Sequence, residues 1–144
     1  MKTSTLETTA FSQTDLSRAG ATLLRVALGI MFIAHSVVLK YLTFTLAGTA
    51  QYFVSIGLPG FLAYVVFALE AVGGVLLVLG IRTRWVALGL VPVLLGAAWV
   101  HVGNGWVFNA PNGGWEYPVF LIVISLVVAA QDVGSSRSPS GGAN

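Results

Sequence analysis

The chain has 144 residues, of which 56% are hydrophobic and 8% charged, and its seven Lys and Arg against five Asp and Glu give a net charge of +2. Soluble domains carry about 25% charged residues, so this composition excludes a compact water-soluble fold and indicates a membrane protein. The scattered charges offer no basic surface to a nucleic acid, and the absence of cysteine excludes disulfides and cysteine-ligated metal sites.

Four apolar segments follow a polar beginning. Residues 1–18 are rich in Ser and Thr, which predicts a polar lead-in. The apolar segments come close to the length that a helix needs to cross about 30 Å of hydrocarbon. The predicted spans are residues 20–41, 60–81, 85–103 and 115–133. The fold class is therefore all-α, a four-helix transmembrane bundle over residues 19–133, followed by a disordered, low-complexity tail at 134–144.

The connections between spans differ in length. Arg82-Thr83-Arg84 is short and predicts a tight hairpin between spans two and three. The connection from Leu42 to Pro59 is longer, and its Tyr52, Phe53 and Ile56 predict a short amphipathic helix lying in the membrane interface.

The distribution of basic residues predicts the orientation, because cytoplasmic flanks retain Lys and Arg. An N-in, C-in arrangement leaves only Lys40 outside and keeps the other flanking basic residues inside: Lys2, Arg18, Arg82, Arg84 and Arg137. Small residues predict the seams of the bundle. We expect the face of span two that carries Gly73 and Gly74 to meet the face of span three that carries Gly89 and Gly96.

Glu70 is the most informative residue, because it lies near the middle of span two, where an unpaired carboxylate is costly. Arg25 in span one is the expected partner, since its long side chain can extend toward mid-membrane. Such an Arg25–Glu70 pair has two interpretations. It either fixes the register of two helices or lines a polar pocket.

Several polar and aromatic residues are expected near the outer leaflet and form a candidate ligand site. They are His35, Lys40, His101, Asn104, Trp115 and Glu116. Each also has a purely structural interpretation as an interfacial hydrogen-bonding, belt or snorkelling residue. No metal site is expected, because only one acidic residue lies inside a span and Glu-x-x-His is absent. A haem is not expected either, because Gly-rich seams favour tight packing.

The order and spacing of several motifs across residues 18–132 resemble the DoxX family of four-helix bacterial inner-membrane proteins. The motifs are Arg25-x-x-x-Gly29 with His35 and Lys40, Gly57-Leu58-Pro59, Glu70-Ala71-Val72-Gly73-Gly74 with Gly80 and Arg82-Thr83-Arg84, His101-Val102-Gly103-Asn104-Gly105, and Gly113-Gly114-Trp115-Glu116-Tyr117-Pro118. One difference is Ser36, which follows His35 where the family often has glycine.

The resemblance implies a multi-pass protein of the bacterial inner membrane, of a kind often labelled as an oxidoreductase through likeness to a small subunit of a thiosulfate:quinone oxidoreductase. It implies no settled catalytic residues. We therefore expect a redox-associated protein that binds a quinone or a similar apolar molecule, with no cofactor supplied by the chain itself. The alternatives are a membrane anchor for soluble redox enzymes and, third, a small-molecule carrier or sensor. Expected partners are the lipid bilayer, a soluble redox enzyme or partner subunit, and a second copy of the chain.

Overall fold

The computed structural model describes residues 12–135, and their side chains as far as residue 132. These residues form five α-helices and no strand. The helices are α1 Gln13–Ile33, α2 Leu46–Ser55, α3 Phe61–Leu79, α4 Thr83–His101 and α5 Glu116–Ser135. Helix α1 continues into a π-helix, Ala34–Thr43, and α4 into a 3-10 turn, Val102–Asn104. The all-α class is confirmed, while residues 1–11 of the predicted lead-in and 136–144 of the predicted tail lie outside the described part.

Three helical segments in the described part of the chain are long and apolar enough to cross a membrane. They are Gln13–Thr43, Phe61–Leu79 and Thr83–Asn104, and they correspond to the first three predicted spans. Helix α5 has 20 residues, but its crossing of the membrane and the N-in, C-in orientation stay predictions.

Helix α1 begins earlier than the predicted span. Its N-cap is Ser12, whose Oγ accepts a hydrogen bond of 3.3 Å from the N–H of Thr14. Asp15 lies in the first turn, where a carboxylate interacts favourably with the helix dipole. Residues 13–18, predicted to belong to the polar lead-in, are therefore helical, because their capping residues start the helix ahead of its apolar part.

The outward surfaces of the helices are apolar. Leu23 of α1, Val72 of α3 and Leu95 of α4 are 71%, 59% and 54% exposed, whereas Ser36, Glu70 and Ser125 are buried. A water-soluble bundle would bury such aliphatic side chains and expose the polar ones. This distribution is that of helices surrounded by lipid.

Helices α1 and α3 pack with their backbones in close approach. A Cβ atom placed on Gly29 would lie 2.7 Å from the Gly74 carbonyl oxygen, and one placed on Gly74 would lie 2.7 Å from that of Gly29. Only glycine at both positions permits this distance, which maximises van der Waals contact where lipid supplies no hydrophobic drive. The contact makes the two helices antiparallel neighbours in a fixed register.

The predicted seam between spans two and three is wrong in part. Gly73 does face α4, since a Cβ there would lie 2.9 Å from a methyl carbon of Leu90. Gly89 and Gly96, however, are exposed, and nothing lies within 4 Å of the space that a Cβ would fill on either. The glycine seam lies between α1 and α3 instead, because α4 presents leucines to α3.

Helices α4 and α5 form the other tightly packed pair. The buried residues of α5 follow a helical spacing and join α4 residues in one apolar core: Leu121, Val128 and Ala129 with Ala87, Leu90 and Leu94. The carboxylate of Asp132 accepts a hydrogen bond of 3.3 Å from the backbone N–H of Arg84, at the N-terminus of α4. The end of α5 therefore lies beside the start of α4.

The connections fit the predictions. Gly80 ends α3 in the left-handed conformation at φ +74°, and the N–H groups of Gly80 and Ile81 bond the Leu77 and Leu76 carbonyls in a Schellman motif. Arg82 follows at φ +46°, and α4 begins at Thr83, which confirms the tight hairpin. The short helix between the first two spans is confirmed as α2, and its place in the membrane interface stays a prediction.

The Gly29–Gly74 contact gives a stability prediction. Gly74→Ala should lower the free energy of unfolding by about 1–3 kcal/mol, because the new methyl group meets rigid backbone. The matched control is Gly89→Ala, where the same methyl group meets open space and should change the free energy by less than about 0.5 kcal/mol. Unfolding of both variants in mild detergent, followed by circular dichroism, measures the difference, and equal effects would contradict the contact.

Candidate functional site

The buried carboxylate of Glu70 has a cationic partner. Its Oε2 lies 2.6 Å from the Nζ of Lys40, and the two side chains are 8% and 18% exposed. Glu70 lies in the middle of α3, and Lys40 reaches it from the π-helix that extends α1. A buried carboxylate and ammonium compensate one another only in such close, hydrogen-bonded geometry.

The predicted Arg25–Glu70 pair is therefore wrong. The guanidinium of Arg25 donates hydrogen bonds to the carbonyl oxygens of Leu77 and Val78, the second at 3.0 Å. Both carbonyls belong to the last turn of α3, beyond which no helical turn continues, and the Leu77 carbonyl also accepts the Gly80 N–H. Arg25 thus caps α3 and interacts with the negative end of its dipole.

Helix register explains why Glu70 pairs with Lys40 and not with Arg25. The Gly29–Gly74 contact sets Arg25 beside the end of α3. Glu70 and Val78 are eight residues apart, which is about 12 Å along a helix. That distance exceeds the reach of the Arg25 side chain once its guanidinium is bonded at Val78.

The π-helix Ala34–Thr43 changes how the second half of the first span is wound. The N–H of Phe44 bonds the carbonyl of Leu39, five residues back, at 2.9 Å, and the Thr43 hydroxyl donates to the Val38 carbonyl at 2.8 Å. At its start, the Ser36 hydroxyl donates to the Phe32 and Ile33 carbonyls. π-Helical turns are rare and occur frequently at functional sites.

His35 lies at the beginning of this π-helix and contacts α5. Its ring stacks on Tyr117, with centroids 5.7 Å apart and planes at 21°. Its Nδ1 lies 3.0 Å from the Met31 carbonyl oxygen, and the Tyr117 hydroxyl donates to the sulfur of Met31. His35 and Lys40 are five residues apart in the same π-helix, which is about one π-helical turn. We call Met31, His35, Lys40, Glu70 and Tyr117 the His35 cluster.

The protonation of His35 follows from its partner. A carbonyl oxygen accepts hydrogen bonds and cannot donate them, so Nδ1 must carry the proton in the contact with Met31. In the neutral imidazole, Nε2 is then the acceptor. Within the described part of the chain, Nε2 makes no protein hydrogen bond, and the half-buried ring can offer it to a ligand.

His101 and Asn104 lie at the end of α4 and form a second group. The Asn104 Nδ2 donates to the carbonyls of Asn112 and Gly113 at 3.1 and 2.9 Å and lies 3.3 Å from the His101 Nδ1. The two carbonyl partners take up both N–H groups of the amide and fix its orientation. Asn104 thereby closes the loop between α4 and α5 onto the end of α4.

Trp115 and Glu116 belong to the same loop. Trp115 packs edge-on against Trp106, with ring centroids 4.4 Å apart, and the carboxylate of Glu116 accepts a 2.9 Å hydrogen bond from the N–H of Phe108. We call His101, Asn104, Trp106, Trp115 and Glu116 the loop group. Its hydrogen bonds hold the loop in one conformation.

The six predicted site residues thus divide between two places. His35 and Lys40 belong to the His35 cluster, while His101, Asn104, Trp115 and Glu116 belong to the loop group. Sequence reasoning missed the contacts of Met31 and Tyr117. The sequence signal that could have pointed to Tyr117 was its position. It lies next to Glu116 near the start of the last predicted span, at the membrane boundary where His35 was also expected.

An open cleft of about 450 Å³ borders the loop group. It lies between α2 and α4, and it is lined by Tyr52, Ile56, Trp99, Val100, Asn104 and Asn112. No charged side chain is among these six. Within the described residues, no three His, Asp or Glu side chains come together as a metal site would require.

Comparison with known proteins adds the family. The family model DoxX matches residues 20–103, more than half of the chain. The chain belongs to the DoxX family. The matched region of this DoxX protein includes Arg25, His35, Lys40, Glu70 and His101, and it ends before Tyr117 of α5.

A Bacillus subtilis (strain 168) protein named "Putative oxidoreductase CatD" is similar to the DoxX chain, with 46% identity over 78 residues. The match covers 54% of this chain and 56% of that protein, so the chain spans little more than half the length of its relative. No solved structure matches. Family membership and three apolar helices together identify an integral membrane protein that crosses the bilayer more than once.

The Lys40–Glu70 pair gives a second prediction. In a double-mutant cycle, Lys40→Met and Glu70→Gln should show a coupling energy of about 2 kcal/mol or more, because removing either partner leaves a buried charge unpaired. The matched cycle of Arg25→Met with Glu70→Gln should be additive within about 0.5 kcal/mol. Unfolding free energies in detergent measure both, and a large coupling of Arg25 to Glu70 would contradict the structure.

Proposed function

We propose that this DoxX protein is a redox-associated component of the bacterial inner membrane that binds a quinone-type headgroup at the His35 cluster. In this proposal the chain crosses the membrane four times with both ends inside, and the His35 cluster lies in the outer half of the bilayer. The relative's name, which describes an oxidoreductase, supports the redox assignment.

The observation that carries the proposal is the unused Nε2 of His35 beside an aromatic ring. Ionisable residues within membrane helices mark functional sites by default, since each is costly to retain. Here His35 is half-buried, stacked on Tyr117, and about one π-helical turn from Lys40 of the Lys40–Glu70 pair. A ligand reaching this place through the lipid finds a hydrogen-bonding atom at the edge of a flat aromatic surface.

The residues of the cluster have separate roles in binding such a headgroup. The His35 Nε2 accepts a hydrogen bond from the ligand, and the Tyr117 ring keeps the imidazole in place. The Lys40–Glu70 pair supplies a fixed dipole nearby, with its own charges compensated. A bound quinone-type molecule supplies the electron chemistry, which belongs to the headgroup itself.

A second function, that of a membrane anchor for a soluble redox enzyme, is favoured by a different observation. Every buried side-chain nitrogen and oxygen in the described part of the chain has a hydrogen-bond partner. Arg25 caps α3, Lys40 pairs with Glu70, and Asn104 fastens a loop. These residues thus each have a structural task, as a scaffold requires.

Gentle purification followed by mass spectrometry separates the two functions. The quinone-binding protein should retain a quinone or quinol, and His35→Ala should reduce the retained amount at least tenfold by removing the acceptor and its stacked ring. The matched control is His101→Ala, whose histidine lies in the loop group and should change retention less than twofold.

A different result of this experiment would support the membrane-anchor function. Preparations with no retained quinone but a stoichiometric soluble oxidoreductase would replace the quinone proposal. Equal losses in the two histidine variants would contradict the assignment of the site to the His35 cluster.

A further inference from the structure

We infer that the His35 cluster selects a ligand by its hydroxyl group, so that it binds the reduced quinol form in preference to the oxidised quinone. The inference rests on the proposed function, and it names the chemical form that this site recognises. It follows from which atoms of the cluster still have hydrogen-bonding capacity.

In its neutral form, the imidazole of His35 presents only an acceptor. The one proton of that form is on Nδ1, where it is used in the 3.0 Å bond to the Met31 carbonyl. The remaining Nε2 carries a lone pair, which binds an O–H group. A quinone carbonyl also carries lone pairs, so a quinone oxygen placed at Nε2 would leave two acceptors facing one another.

The hydroxyl groups around His35 are committed as donors. The Tyr117 hydroxyl donates to the Met31 sulfur, and the Ser36 hydroxyl donates to main-chain carbonyls of its own helix at 2.8 and 3.1 Å. The Ser36 side chain is fully buried and out of a ligand's reach, while the Tyr117 oxygen retains lone pairs and can only accept a further bond in this arrangement. A ligand with a hydroxyl donor therefore suits His35 and Tyr117 better than a ligand with carbonyl oxygens.

Lys40 is the donor that could reverse this preference. Its ammonium carries three N–H groups, and the contact of 2.6 Å to Glu70 holds it toward the carboxylate. Recognition of a quinone carbonyl by Lys40 would need no histidine. A variant at Lys40 therefore distinguishes that alternative from selection by His35.

His101 lies outside the His35 cluster and provides a control. It belongs to the loop group at the end of α4, where its Nδ1 lies 3.3 Å from the Asn104 amide nitrogen. Replacing His101 removes a histidine from the chain without removing any member of the His35 cluster.

The experiment compares the two redox forms of a short-chain ubiquinone analogue. Protein in lipid nanodiscs is equilibrated anaerobically with either the quinone or the chemically reduced quinol, with empty nanodiscs as the reference for partitioning into lipid. The wild-type protein should bind the quinol at least tenfold more tightly, because mispairing of a buried polar group discriminates strongly between ligands.

The substitution His35→Phe should abolish the preference while retaining a ring that stacks on Tyr117. The control His101→Phe should preserve the preference, because His101 lies in the loop group. A preference for the quinone that disappears in Lys40→Met would overturn the inference.

The wild-type measurement separates the inference from the function on which it rests. Equal binding of quinol and quinone would overturn the selection by hydroxyl while leaving the quinone-type site in place. Binding of neither form above the empty nanodiscs would overturn the proposed function and the inference together.

Discussion

The contact between the backbones of Gly29 and Gly74 determines the geometry of the interior. Because neither helix carries a side chain there, α1 and α3 approach to carbonyl contact, and their register cannot slide without a steric collision. That register brings Arg25 to the last carbonyls of α3 and directs Lys40 to Glu70. The placement of Arg25 and Lys40 thus depends on two glycines.

Arg25 and Lys40 interact with different kinds of partner. Arg25 has a planar guanidinium with several N–H groups, which suits the two adjacent carbonyls that it bonds in the last turn of α3. Lys40 is a compact charge on a flexible stem, which suits a single buried carboxylate. The predicted Arg25–Glu70 pair would instead place the fork of arginine on one carboxylate and leave the end of α3 with its Schellman motif alone.

Hydropathy and turn chemistry predicted the first three spans, the short helix between two of them and the hairpin at Arg82, because these depend on local composition. The partner of Glu70 could not be predicted in the same way. Both Arg25 and Lys40 lie in the first span, and the choice depends on a helix register set by Gly29 and Gly74. A sequence shows which residues are small, but Gly89 and Gly96 show that small residues also occur on exposed faces.

The candidate site was predicted in its residue types and only partly in its arrangement. His35 and Lys40 were expected near one boundary of the membrane, and they do share a cluster. Their contacts depend on the π-helix, whose wider turns no propensity scale predicts, and on the stacking of Tyr117 from a helix more than 80 residues later in the chain. The position of the proton on His35 follows from its contact with the Met31 carbonyl, and the sequence does not show that contact.

The π-helix also bears on how related chains can differ in length. A turn closed by an i→i+5 bond contains one residue more than a turn closed by an i→i+4 bond. Deleting a single residue between Ala34 and Thr43 can therefore be absorbed by tightening the winding, with both ends of the segment kept in place. Homologues that lack one residue here would be expected to convert one π-helical turn into an α-helical turn and to retain the lysine contact. An alignment gap in this stretch would then indicate a change of winding within the same architecture.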